Sequence, residues 1–299
     1  MAFRHIIIES AARISVRNQQ LVICTDAEHS VSIEDLSVLM LENRQTTITA
    51  AALSRLGQGG CAVFVCDEKH LPCAVLTPCC QHSRELTVIR KQLEASEPLK
   101  KRLWQSVVIA KIRNQALCLK LSGKTEQAEA LFSMAGRVRS GDTGNVEAVA
   151  AQFYFPALFG DGFSRGDENG YNAGLNYGYA VLRGCMARTL AVYGFLPALG
   201  LHHHSTLNSF NLADDLMEPF RPVADLLVVR KFQEDDELIP EKKHLLFNCM
   251  TLDTLSGGQR HSVSYAADRL VQSLIRSLGD GKPALTLPEL VDLRQHQYE

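Results

Sequence analysis

Three adjacent histidines, His202, His203 and His204, open the stretch Gly200 to Pro222, GLHHHSTLNSFNLADDLMEPFRP. Downstream, Asp214, Asp215 and Glu218 lie three and four residues apart, so on a helix they share one face. Leu212, Leu216 and Phe220 recur at the helical period on a different face. Like charges at that spacing repel by roughly a few tenths of a kcal/mol per pair, and Pro219 adds a further cost inside a helix. A cation bound between these carboxylates and a nearby histidine would offset both penalties. The chemistry expected is an oxygen-rich metal site with one imidazole, a donor set that suits Mg²⁺ or Mn²⁺ better than zinc. Such ions polarise phosphoryl oxygens and activate a hydroxyl for in-line attack.

A further acid is Glu147, in the first turn of a predicted helix, NVEAVAAQFYF. A glutamate there ordinarily serves the helix dipole; with a histidine and an acidic helix in the same domain it becomes a candidate ligand. Neighbouring side chains diverge, so the three histidines cannot all face one centre, and spacing does not say which one does. In YNAGLNYGY, Asn172 and Asn176 sit one helical turn apart. Buried amides at that spacing usually bridge helices; the sharper reading has Asn176 positioning a site or a phosphate.

These residues need a helical frame, and the period of the sequence supplies one. Residues 1–76 read as a small β-rich domain. Phe3 to Ile8, Arg13 to Val16, Gln20 to Thr25, Ser37 to Leu41 and Ala62 to Cys66 are short strand-like runs, with one helix over Thr49 to Leu56. Strands at this spacing predict a small antiparallel sandwich or roll. Residues 77–88, with Pro78 and the polar run CCQHSRE, read as a linker. Residues 89–299 read as a larger all-α domain. Its predicted helices run from Leu86, from Pro98 to Gly123, over Thr125 to Ala135, from a Thr143 cap, over Tyr171 to Tyr193, and over Ser262 to Leu278. The tail DLRQHQYE is expected to fray. The fold class is therefore α+β, a β-sandwich-like amino-terminal domain followed by a helical one.

The net charge of -2 carries no global signature of nucleic-acid binding, but charge is distributed unevenly. Between Arg84 and Arg113, eight Lys and Arg face three acids. A charge run is usually a solvated helix face; an excess confined to one helical pair, followed by Arg137 and Arg139, is what a phosphate-backbone track needs. Arg84, Lys91, Lys100, Lys101, Arg137 and Arg139 are the candidates. There is no P-loop, no GxGxxG and no GxSxG. The nine cysteines form no CxxC pair and are odd in number, so they read as small hydrophobes in a reducing cytoplasm. MAFRHIIIES has too short an apolar run for a signal peptide, and no run of about 18 apolar residues predicts a membrane span.

Taken together, NVE (Asn145 to Glu147), NYGY (Asn176 to Tyr179), GLHHH and DDLMEPFRP resemble the CRISPR-associated integrase of the adaptation module, the Cas-one family. CDEKHLP, SRELTVIRKQL, KRLWQSVVIAKIRNQA and the opening RHIIIES are similar to its type II branch, so the likeness spans essentially the whole chain. The resemblance implies a β-rich domain followed by a helical catalytic domain, and a homodimer, two copies of which flank a small dimer of the second adaptation protein. It implies an enzyme that carries double-stranded DNA fragments (spacers) to the CRISPR repeat and joins each 3′-hydroxyl to a repeat end by metal-dependent transesterification. The implied ligands of Mg²⁺ or Mn²⁺ map to Glu147, His203 and Glu218. Asp215, one turn earlier, is an alternative third ligand or, with Arg221, holds the ligands in place. The type II likeness further implies contact with the effector nuclease.

Two other functions would use the same residues. A metal-dependent nuclease or resolvase acting on branched DNA in repair would need the same site, since reversing the joining step resembles resolving a branch. A DNA-binding scaffold with purely structural acids would tolerate loss of Glu147.

Overall fold

The computed structural model describes residues 4–68, 72–76 and 85–297. The amino-terminal region contains β1 (Arg4–Ile8), β2 (Arg13–Arg17), β3 (Gln20–Cys24), β4 (Glu28–Ser32), β5 (Leu36–Leu41), β6 (Thr47–Ile48), α1 (Ala50–Gln58), β7 (Ala62–Cys66) and β8 (Pro72–Leu76). They form two four-stranded sheets, ordered β1-β5-β7-β8 and β4-β3-β2-β6. The expectation of a purely antiparallel domain needs correction, because β1, β5 and β7 pair in parallel. A parallel pair needs a crossover, and α1 supplies it between β5 and β7; the Thr49 hydroxyl caps this helix by accepting from Ala52 N at 3.2 Å.

The larger region contains α2 (Glu85–Glu94), α3 (Glu97–Leu121), α4 (Thr125–Ala135), α5 (Val146–Phe159), α6 (Gly170–Val192), α7 (Asn211–Met217), α8 (Arg221–Lys231), α9 (Pro240–Phe247) and α10 (Val263–Asp280). Residues 85–88 of the expected linker are the first turn of α2, and 77–84 lie outside the described residues. The all-α expectation needs one amendment. Strands β9 (Leu252–Ser256), β10 (Gln259–Ser262) and β11 (Pro288–Gln295) form a small sheet ordered β10-β9-β11. Of the tail expected to fray, Asp292 to Gln295 belong to β11, held antiparallel to β9, and the last two residues lie outside the described ones. No helix among the described residues is long and apolar enough to cross a membrane.

The two regions share a core. Val38, Met40, Ala62 and Phe64 of the first sheet are buried in one cluster with Trp104, Tyr177, Leu246 and other helical residues. The Tyr177 hydroxyl donates to Met40 Sδ at 3.0 Å, and Lys243 pairs with Glu42 at 2.6 Å, both side chains 5% exposed. Gly184 is required here, since a Cβ at that position would lie 1.8 Å from the Phe64 ring. Helices α6 and α9 are thereby fixed to the first sheet.

Candidate functional site

Helix α5 begins unusually. Asp142 (φ 48) and Asn145 (φ 50) both occupy the left-handed region, which folds the chain back so that Asp142 caps the helix. Its two carboxylate oxygens accept from Val146 N and Glu147 N, each at 2.9 Å. Asp142 therefore fills the role expected of Thr143, its two carboxylate oxygens each taking one N–H. The cap fixes Glu147 in the first turn, facing α3.

Lys111 of α3 meets Glu147 there. Its Nζ lies 2.6 Å from Glu147 Oε1 and 2.6 Å from Glu218 Oε2. Glu218 sits in a 3-10 turn, Glu218–Phe220, where α7 hands over to α8. Pro219 in that turn interrupts no long helix, which removes most of the penalty expected for it. The turn is pinned by buried Asn114, one turn beyond Lys111 on α3. Its Nδ2 donates to Pro219 O at 2.7 Å and Pro288 O at 3.0 Å, while its Oδ1 accepts from Leu290 N at 3.0 Å. One helix thus aligns both glutamates, and β11 braces it.

Glu218 is only 3% exposed. Its second oxygen, Oε1, pairs with Arg221 Nη2 at 3.0 Å, and the Arg221 guanidinium lies 4.6 Å from the Tyr179 ring centre. Burial alone would push the Glu218 pKa up, but Lys111 and Arg221 outweigh it and hold the carboxyl below its ordinary range. Burial likewise opposes the Lys111 charge, and Glu218 and Glu147 outweigh it, raising the amine's pKa. Lys111 and Glu218 thus hold each other in their charged forms.

The histidines diverge. His202 stacks flat on Trp104 with ring centres 4.5 Å apart, and His204 is exposed with Nδ1 2.8 Å from His202 O. His203 is held by Asp215, whose carboxylate is fully buried. Asp215 accepts from Leu201 N at 2.6 Å, His202 N at 3.0 Å and His203 N at 3.2 Å, and lies 2.7 Å from His203 Nδ1. Gly200 permits this tight turn, since a Cβ there would meet His203 O at 2.2 Å and Asp215 Oδ2 at 2.8 Å. A carboxylate on Nδ1 favours the tautomer that leaves the Nε2 lone pair available. The hydrogen bond to Asp215 raises the His203 pKa, against burial and with help from the charges of Asp215 and Glu218.

Asp214, on the same short helix, turns away from this cluster: Arg183 Nε lies 2.8 Å from its Oδ1, and Asn208 Nδ2 donates to its Oδ2 at 2.7 Å. Among the described residues, no three His, Cys, Asp or Glu side chains are grouped to hold a metal ion. An ammonium is lodged between the two glutamates. The donor chemistry nonetheless fits a hard divalent cation. Buried Glu218 Oε2 has no hydrogen bond of normal geometry and only the ion-pair contact with Lys111, so a cation is what that oxygen is arranged to meet.

Asn176 does not join the glutamates directly. Its Oδ1 accepts from Arg165 Nη2 at 2.9 Å, and Arg165 and Arg221 both lie over the Tyr179 ring. Of the basic candidates, Arg84 lies outside the described residues and Lys91 is half-buried. Lys100 pairs with Glu97 at 3.3 Å and lines, with His203, His204 and Asn208, a cleft of about 450 Å³. Lys101, Arg137 and Arg139 are exposed. Gln105 Nε2 donates to Val138 O at 2.9 Å and ties the Arg137–Arg139 segment to α3, while the Lys101 stem packs beside Gly141. Lys101 and this segment thus form one exposed basic surface at the start of α3. Sequence reasoning missed Lys111, Asn114 and Asp142. Lys111 and Asn114 carried a signal in retrospect, being polar residues inside the apolar helix face of Val107, Val108, Ile112 and Ala116.

The family model described as "CRISPR associated protein Cas1" matches residues 5–238. A "CRISPR-associated endonuclease Cas1" from Neisseria meningitidis serogroup C is 45% identical over 304 residues, covering 100% of both chains. Among solved structures, a casposase bound to its integration product superposes with a TM-score of 0.78 at 18% identity, covering 95% of this chain and 92% of the casposase. A chain of a Cas6-RT-Cas1–Cas2 complex superposes with a TM-score of 0.73 at 20% identity, covering 96% of this chain and 36% of that one. At these identities the structural likenesses show a shared fold.

Proposed function

The chain belongs to the Cas1 family of CRISPR-associated proteins, and from that membership we propose that it is the DNA integrase and endonuclease of CRISPR adaptation. The observation that carries the reading is the meeting of Glu147, at the start of α5, and Glu218, in the turn before α8, at Lys111, with His203, oriented by Asp215, near enough to Glu218 for each charge to act on the other. The full-length likeness to an endonuclease of this family and the shared fold with a casposase bound to an integration product support it.

In this reading Glu147, His203 and Glu218 hold Mg²⁺ or Mn²⁺, which when bound polarises the scissile phosphodiester and lowers the pKa of the attacking hydroxyl. The 3′-hydroxyl of a short DNA fragment attacks a phosphorus at the repeat end. A new P–O bond forms, the old P–O bond breaks, and the proton of the attacking hydroxyl ends on the leaving 3′-oxygen. The count of phosphodiesters is unchanged, so no energy-supplying nucleotide and no protein nucleophile is needed. Asp215 holds His203 with Nε2 available, Arg221 fixes the carboxylate plane of Glu218, and Lys100, Lys101, Arg137 and Arg139 hold the duplex backbone. Asn176 acts at a distance, through Arg165, Tyr179 and Arg221. The partners in this reading are double-stranded DNA, a second copy of the chain, the small second adaptation protein and, from the type II likeness, the effector nuclease. The neighbour drawn from a Cas1–Cas2 complex supports the small-protein partner.

A joining assay tests the proposal with a short duplex bearing free 3′-hydroxyls, a plasmid carrying repeats, the small partner and Mn²⁺. Joined product should fall by about a hundredfold or more in Glu218→Ala. Persistent joining in that variant would remove Glu218 from the site. Branched DNA cut by a wild type that joins nothing would favour a repair resolvase instead.

A further inference from the structure

Lys111 is the residue of the site that no part of the proposed chemistry employs. It is an ammonium 8% exposed, on a helix side where it is buried with Trp104, Val107 and Val108 before it and Asn114 and Gln115 after it. It lies 2.6 Å from one oxygen of Glu147 and 2.6 Å from one oxygen of Glu218. Two carboxylates held that close in a poorly hydrated place repel strongly unless a cation stands between them. In this structure the lysine is that cation.

A divalent ion bound by the same two glutamates would bond their oxygens more closely than an ammonium does. The space between the carboxylates admits one cation at a time, and two cations there would repel. Lysine suits such an exchange, because its charge is compact and rides on a flexible four-carbon stem. Arg221 differs. It holds Glu218 from the opposite oxygen, Oε1, with its guanidinium laid on Tyr179, so it can stay in place whichever cation occupies the gap.

We propose that Lys111 is the site's built-in counter-cation. It keeps Glu147 and Glu218 together before a divalent ion arrives and gives up at least one of them when the ion enters. Metal affinity is then set by an exchange of cations rather than by the filling of a ready-made cage. The inference rests on the metal-site reading of Glu147 and Glu218 and adds a role for a residue outside the ligand set.

The test is Mn²⁺ binding to the full chain without DNA, followed by the electron paramagnetic resonance of free Mn²⁺. Quenching of Trp104, the only tryptophan, which lies against His202 and His203, gives a second readout. Wild type is compared with Lys111→Met, Lys111→Gln and Glu147→Gln. Removing the competing charge should tighten Mn²⁺ binding on the order of tenfold in both lysine variants. Their metal-free melting midpoints should fall, and Mn²⁺ should raise them more than it raises wild type. A lysine variant that folds only with Mn²⁺ present is the extreme form of the same result. Unchanged or weaker Mn²⁺ binding, or a variant that fails to fold even with Mn²⁺, would make Lys111 a fixed brace and overturn the exchange. If Glu147→Gln binds Mn²⁺ as wild type does, the metal-site reading falls, and that failure is distinguishable from failure of the exchange alone.

Discussion

Glu218 and Asp225 are both almost completely buried carboxylates, one in the turn before α8 and one inside it. Their pKa values nevertheless move in opposite directions. Glu218 is met by an ammonium and a guanidinium, and is held below the ordinary range. Asp225 is met by two neutral hydroxyls, Tyr154 at 2.9 Å and Tyr179. Burial pushes Asp225 up, the hydroxyls and Arg221 pull it only part of the way back, and it comes to about 6. The difference lies in the partners, since burial is shared. A carboxylate surrounded by cations is kept charged and can exchange one cation for another; one surrounded by hydroxyls cements helices and gains by becoming neutral.

The contrast is broken most severely by Glu218→Leu. That change leaves Arg221 without its partner and Lys111 with only Glu147, and removing one member of a buried ion-pair set costs about 3 kcal/mol. Calorimetry should show a melting point lower by several degrees, and a loss below about 1 kcal/mol would mean the cations had found water. Asp215→Asn comes next. An amide can answer some of the three N–H groups of the 201–203 turn but presents its own NH₂ to the others, a cost of about 2 kcal/mol. It also removes the partner that raises the His203 pKa. The pairing stabilises the fold fully below the unfolded histidine pKa of 6.5 and is lost as pH rises through the higher folded value. The stability gap between wild type and Asp215→Asn, measured by denaturant melts, should therefore narrow above pH 6.5 without closing.

Asp225→Asn sharpens the comparison from the other side. The folded pKa, about 6, lies above the unfolded 3.8, so the native state binds more protons between those values. Wild type should lose stability as pH rises from about 4 to about 6 and recover none above it. Asparagine carries no charge to bury and keeps an oxygen for one tyrosine. The variant should lose that slope and at pH 8 equal wild type or exceed it by about 1 kcal/mol. Destabilisation at pH 8 by more than about 2 kcal/mol would show that the tyrosine hydroxyls need the anion.

The legibility of the sequence follows the same division of partners. Helices α3, α4, α6 and α10 were readable because each carries a long apolar period. Strand β4, EHSVS, is polar and mostly exposed, and β11 pairs only over a long sequence separation, so neither has a local signal. The acidic motifs pointed to Glu147, Asp215 and Glu218 and the family resemblance to His203, and the fold brings the two glutamates to Lys111 and Asp215 to His203. Asp214 shares their spacing but not their direction, because Arg183 and Asn208 claim it. Lys111 was legible as one charge in a basic run and as a polar residue among apolar helix positions, but not as a partner of the glutamates. That it is buried between two acids distant in sequence is a fact of tertiary packing, which helical period alone does not encode.

The weakest expected effect concerns charges outside both clusters. Lys101 and Arg139 are exposed at the start of α3 and in the segment that Gln105 ties to it. Neither has a buried partner to strand, so Lys101→Ala and Arg139→Ala should each change stability by less than about 0.5 kcal/mol. If this surface tracks a DNA backbone, each substitution removes about one phosphate contact, and the slope of log affinity against log salt should become shallower by about 0.9 per residue. Their double variant should add the two changes, because exposed cations act on the duplex independently when salt screens one from the other. Filter binding of a random duplex from low to high salt checks this without any joining chemistry. An unchanged slope would confine the duplex contact to Lys100 and the cleft beside His203. Lys101 and Arg139 would then serve only the hydration of the surface.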